Sequence, residues 1–244
     1  MTALLSLAAG IATAAERTLH GSVRTVGNGK MRSWVKVDDE KLTAIGVTFT
    51  EDALKGLPPE PPPGAEGHEY VFEIPEVGKG SPFKHILVNW NPYGHPPAKV
   101  YDVGHFDFHF YLISDSERMA ITAVGEDAAR SNKPLPAELT PKGYVLAPDS
   151  AIPRMGSHWA DVSSHEFHGS QFTKTFLFGS YDGKLIFLEP MITKAYLETR
   201  PNVVDDIKLP AKLPVPGYYP TKYRVAYDAA KKEYTVALEA TELR

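Results

Sequence analysis

His105, Asp107, His109 and Tyr111 stand at every second position of the run GHFDFHFYLI, with Phe106, Phe108 and Phe110 between them. On a β-strand, alternate residues share a face. One face of this strand then presents two imidazoles and a carboxylate, and the phenylalanines and Leu112 turn to the core. Imidazole and carboxylate are the donor types that hold a divalent ion, zinc in particular. The competing reading is a half-buried strand with a solvated polar face. Spacing limits the metal reading: residues two apart lie about 7 Å apart along a strand, and residues four apart about 13 Å. Asp107 and His109 can share an ion. His105 and His109 can do so only if the strand twists strongly or carries a bulge.

Further donors must come from elsewhere in the chain, which has nine histidines and no cysteine. Disulfides, thiolate metal sites and cysteine nucleophiles are thereby excluded. His158, in the turn-rich IPRMGSHWAD, is the best third candidate. Glu189 closes the apolar run KLIFLE, where a carboxylate needs a partner, either a metal or an arginine such as Arg154. His95 lies in NWNPYGHPP, a loop able to close over the same face. His165, Glu166 and His168 in SHEFHG are weaker candidates, because the two histidines are three apart, not four as in a zincin helix. His20, His68 and His85 are read as surface or packing residues. The chain carries no G-x-S-x-G elbow, P-loop or dinucleotide-binding glycine fingerprint.

The elements that must position these groups are mostly strands. RTLHGSVRTV, SWVKVD, EYVFEIP and KHILVNW alternate or run apolar, and Asp182-Gly183 is a favoured two-residue turn between two apolar arms. KYRVAYDAAKKEYTVALEAT reads as a second hairpin, and ERMAITAV as the antiparallel neighbour of the aromatic strand across the turn-like SDSE. TEDALKGLP reads as one short helix and GEDAARS as a helical turn. PPEPPPGAEG, with five prolines, is a surface loop. The pattern predicts an all-β fold with minor helix, an antiparallel sandwich or barrel. Net charge is -4 with pI near 6.1, which gives no electrostatic case for nucleic acid. Residues 1–15 read as a signal peptide ending in small residues, though without a basic start, and residues 16–244 as a single β-rich domain. No apolar run reaches the length of about 18 residues that spans a bilayer.

Taken together, NWNPYGHPP, VYDVGHFDFHFYLI, PRMGSHW and GSYDGKLIFLEPMIT resemble a family of exported bacterial proteins of unknown function with a characterised Thermus member. The resemblance extends over most of the chain after the first strand begins. It implies a β-rich fold and oligomeric rings, and no particular reaction. Two metal families are echoed in part. Cupins and alpha carbonic anhydrases both place His-x-His on a strand; here Asp107 takes one histidine's place, with His109 as the other and His158 as the later ligand.

These readings combine into one expectation. A periplasmic or secreted protein binds a divalent metal, zinc, through His105, His109 and His158. Glu189 is a fourth ligand or general base, and Asp107 orients an imidazole. A small-molecule substrate and hydrolytic or lyase chemistry would follow. The alternative is a non-catalytic ligand-binding module or a structural homo-oligomer.

Overall fold

A computed structural model describes residues 16–65, 67–77 and 80–244. The signal-peptide expectation lies outside the described residues. The strands in chain order are β1 (Arg17–Val26), β2 (Gly29–Asp38), β3 (Lys41–Thr50), β4 (His68–Glu73), β5 (His85–Asn91), β6 (His105–Tyr111) and β7 (Tyr144–Leu146). They continue with β8 (Ser157–Asp161), β9 (Lys174–Tyr181), β10 (Lys184–Thr193), β11 (Asn202–Asp206), β12 (Tyr218–Asp228) and β13 (Glu233–Leu243). The short α-helices among the described residues are α1 (Asp115–Met119), α2 (Asp127–Ser131) and α3 (Lys194–Glu198), and Glu51–Leu54, Ala137–Leu139 and His165–His168 form 3-10 turns.

The strands form two antiparallel sheets, ordered β1-β2-β3-β13-β12-β11 and β4-β5-β6-β10-β9-β8-β7. The sheets pack face to face as a sandwich. From one come Val35, Ile45, Phe49, Tyr234 and Val236, and from the other Ile86, Val88, Phe106, Phe108, Phe110 and Phe178. Each large apolar side chain buried in this way stabilises the fold by about 1.5–3 kcal/mol before entropy is subtracted. The β9–β10 hairpin turns at Asp182 and Gly183, both left-handed, with φ of 50° and 72°. Both residues needing positive φ is the requirement that Asp-Gly meets most readily. No helix among the described residues is long and apolar enough to cross a membrane.

Two expectations need correction. The segment ERMAITAV is not a strand. Ser114 accepts from the Glu117 backbone N–H, and the Glu117 carboxylate accepts from the Ser114 N–H at 2.7 Å, so the chain enters α1 instead. The neighbours of β6 are β5 and β10. The polar face of β6 is also not solvated: every residue of β5 and β6 is buried. The outer face of the seven-stranded sheet is covered by the connections after β5, β6 and β8. Tyr101 and Phe172 pack there beside Leu177 and Met191, and Ile121 packs beside Leu87, Tyr111 and Phe187.

Candidate metal centre

The covered face carries the chemistry. Along β6, His105, Asp107 and His109 point outward in regular register, with no bulge in the pairing to β5. Strand β5 brings Asn91 opposite His105 and Asn89 opposite Asp107. On β10 the pairing slips between Leu185 and Phe187. Leu185 and Leu188 face the sandwich core, whereas Ile186 and Phe187 both join the outer apolar cluster. That single extra residue shifts the phase of the strand. Glu189 consequently emerges on the outer face, beside His109.

Gly179 on β9 pairs with both Phe187 and His158. It leaves room for the Phe187 ring, which a Cβ at residue 179 would meet at 2.1 Å. The ring lies edge-on to His109, with centroids 4.7 Å apart, and 5.5 Å from His158. His158 is fixed from its other side, where its Nδ1–H donates to the Ser150 carbonyl at 3.0 Å. The loop before β8 can turn tightly because Gly156 has φ of 67°.

The result is two sets of donors, each with ligand atoms mutually within 4.8 Å: His109, His158 and Glu189, and His95, His105 and Asp107. In the first, His109 Nε2 lies 3.2 Å from Glu189 Oε1, and His158 Nε2 lies 3.8 Å from Oε2. In the second, His105 Nε2 lies 3.0 Å from Asp107 Oδ1, and His95 Nε2 lies 3.5 Å from Oδ2. His105 and His109, expected as ligands of one ion, therefore belong to different sets, as the regular strand spacing demands. Asp107, expected to orient an imidazole, is itself a donor between His95 and His105. His95 joins from its loop, where its backbone N–H donates to the Tyr101 carbonyl at 3.1 Å. Arg154 does not pair with Glu189; it donates to Glu69 at 3.1 Å. His165 and His168 are exposed, and Glu166 is buried against the Tyr101 hydroxyl. Sequence reading passed over Asn91, whose amide donates to Asp107 at 2.6 Å. Its signal was the alternation His85, Leu87, Asn89, Asn91 along β5.

The tautomers follow from the hydrogen bonds. Nδ1 of His95, His105 and His158 faces the carbonyl of Pro96, Val103 and Ser150 respectively, at 2.8, 2.7 and 3.0 Å. A carbonyl only accepts, so each Nδ1 carries the proton. In the neutral ring the lone pair then sits on Nε2, the atom aimed at a carboxylate. His109 lacks a hydrogen-bond partner on either nitrogen although it is 0% exposed, and Glu189 Oε2 and Asp107 Oδ1 lack one as well. The His109 Nε2 approach to Glu189 is close but not aligned for hydrogen bonding. Among the described residues, no lysine or arginine comes within 4.0 Å of Asp107 or Glu189.

Burial governs the protonation states. It lowers the pKa of His109 to about 3 and that of His158 to about 4, so both rings are neutral at pH 7. Burial also raises Glu189 well above the usual carboxylate range, and the charge of Asp107 adds to the effect. For Asp107, burial acts in the same upward direction but is outweighed by the His105 and His95 imidazoles, which hold its pKa well below normal.

A pH prediction follows. His85, lowered to about 4 by burial, joins His109 and His158 in refusing a proton that the unfolded chain accepts below about 6.5. Stability from these three groups is complete above about pH 6.5 and is lost as pH falls towards 4. Asp107 acts in the same direction and Glu189 in the opposite one. Metal-free protein should therefore melt at least about 5 °C lower at pH 4.5 than at pH 7.5 by calorimetry. An unchanged Tm would contradict the neutral, buried state of these histidines.

Fold and cluster together define a class: an antiparallel β-sandwich with a buried histidine–carboxylate cluster on one outer sheet face. Within it, residues 37–90 are similar to the TTHB210-like family, described as hypothetical protein TTHB210. This supports the Thermus resemblance over a span running from the end of β2 through most of β5. The match stops at Trp90, so both donor sets lie outside it. No curated protein and no solved structure matches the chain.

Proposed function

We propose that this chain is an exported protein, periplasmic or secreted, that binds zinc at His109, His158 and Glu189. The observation that supports this most is the lone-pair geometry. His158 Nε2 and the unpartnered His109 nitrogens meet a buried carboxylate that, among the described residues, has no lysine or arginine within 4.0 Å. A lone pair facing a carboxylate oxygen is repulsive unless a proton or a cation lies between them. Two imidazoles and a carboxylate form a donor set suited to zinc with a fourth position left for a ligand. A bound zinc ion supplies a Lewis acid, suited to hydrolysis or elimination on a small molecule. The protein's own part is to hold the donors rigid, with Phe187 against both imidazoles and the Ser150 carbonyl fixing the His158 tautomer.

The test is metal content. Protein made without a histidine tag, stripped with chelator and exposed to zinc at pH 7, should retain at least one equivalent after desalting. Less than about 0.2 equivalents would refute the reading, since a three-donor protein site binds far more tightly than that implies. A second reading, an ion that only pins the covering loops to the sheet, is favoured by the depth of His109 and Glu189, 0% and 1% exposed. Zinc that raises Tm but supports no hydrolysis of ester or phosphoester substrates would select it.

A further inference from the structure

We propose that His95, His105 and Asp107 form a second divalent-cation site beside the first, making the cluster a two-ion centre; this rests on the zinc reading above. The second set repeats the chemistry of the first, two imidazoles and one carboxylate, from different elements. His105 and Asp107 come from β6, and His95 from the loop after β5. The His105 and His95 rings meet edge to face, with centroids 4.7 Å apart, so both Nε2 atoms flank one carboxylate. Each takes a different oxygen, Oδ1 for His105 and Oδ2 for His95. In both rings Nδ1 is engaged by a backbone carbonyl, which leaves Nε2 as the nitrogen turned to the carboxylate. Asp107 Oδ1 is buried and has no hydrogen-bond partner, whereas Oδ2 is held by Asn91. One oxygen is thus oriented by an amide and the other is left for a cation. This is the usual division of labour for a ligating carboxylate.

The two sets are neighbours. Asp107 and His109 are two residues apart on one strand face, about 7 Å between backbones, under the same covering loops. Placed so, two ions can act on one substrate, as paired ions do in many hydrolases. His95, with 16% of its side chain exposed, and His158, with 12%, mark the solvent side of the centre.

The experiment is a stoichiometry on chelator-stripped, untagged protein loaded with manganese(II) or zinc, paired with the spectrum of the manganese form. Wild type should hold two equivalents, and its manganese spectrum should show coupling between ions. His95→Ala, which alters a partly exposed loop residue, should hold one equivalent and give an isolated-ion spectrum. Circular dichroism melts check that it folds. Asp107→Asn should do the same if the loop variant proves unstable. Wild type holding a single equivalent would overturn the proposal and leave the zinc reading standing. Two equivalents that persist in both variants would also overturn it, because the second ion would then lie elsewhere. No bound metal would overturn both.

Discussion

Glu189→Gln is expected to leave the metal-free protein almost unchanged and to abolish its response to zinc. Burial and the charge of Asp107 already favour the protonated form of Glu189. Gln has the shape and polarity of that form. The metal-free Tm should therefore stay within about 3 °C of wild type, a change of under about 1 kcal/mol. Wild type should gain about 4 kcal/mol of stability when zinc exceeds its Kd a thousandfold. That corresponds to a rise of roughly 8–16 °C for a chain of this size. The variant should keep less than a third of the rise, because an amide is a poor zinc ligand. The rival account, a buried ion pair between a protonated His109 and Glu189, predicts the reverse. Removing one partner of such a pair costs about 3–5 kcal/mol with no metal present. A large metal-free loss in scanning calorimetry, with the zinc response intact, would decide for the ion pair.

Gly179→Ala should disrupt the centre without touching a donor. The new methyl would meet Cε1 and Cζ of Phe187 at 2.1 Å. The ring cannot swing clear, because it is 0% exposed and packed 5.1 Å from Tyr111 as well as against His109. Overpacking of this kind costs about 1–3 kcal/mol, and the strain falls on the ring that sets the His109 position. Tm should fall by about 5–10 °C. Zinc affinity should fall tenfold or more, read by calorimetric titration. Adding Phe187→Leu should restore part of both. A variant that melts within about 2 °C of wild type and keeps its zinc affinity would show that Phe187 does not hold the imidazole.

How far the site could be read in advance depended on the distance over which its causes act. The alternation in GHFDFHFYLI is local, and it correctly separated Phe106, Phe108 and Phe110 from His105, Asp107 and His109. The Asp182-Gly183 turn was equally local, since it needs only two residues that tolerate positive φ. The same spacing argument warned that His105 and His109 could not share an ion on a regular strand, and the regular β6 divides them. The bulge at Ile186 was not legible. Strict alternation from Leu185 would have sent Glu189 into the sandwich core, and only the pairing with β9 reveals the slip. Burial of the polar face was hidden for the same reason. The covering residues Tyr101 and Ile121 lie in the connections that flank the strand and Phe172 in one far along the chain, and nothing in the strand itself records that they fold back over it. ERMAITAV misled because its apolar residues outweighed a helix start, and the Ser114–Glu117 capping box settled the local choice.

The central claim is an ion held by His109, His158 and Glu189. Anomalous X-ray scattering at the zinc edge, from crystals of zinc-loaded protein at neutral pH, tests it most directly. The account predicts a peak about 2.1 Å from Nε2 of both His109 and His158, and about 2.0–2.2 Å from a Glu189 oxygen. Peaks confined to exposed histidines such as His20 or His168, with the Glu189 carboxylate hydrogen-bonded to an imidazole, would contradict it.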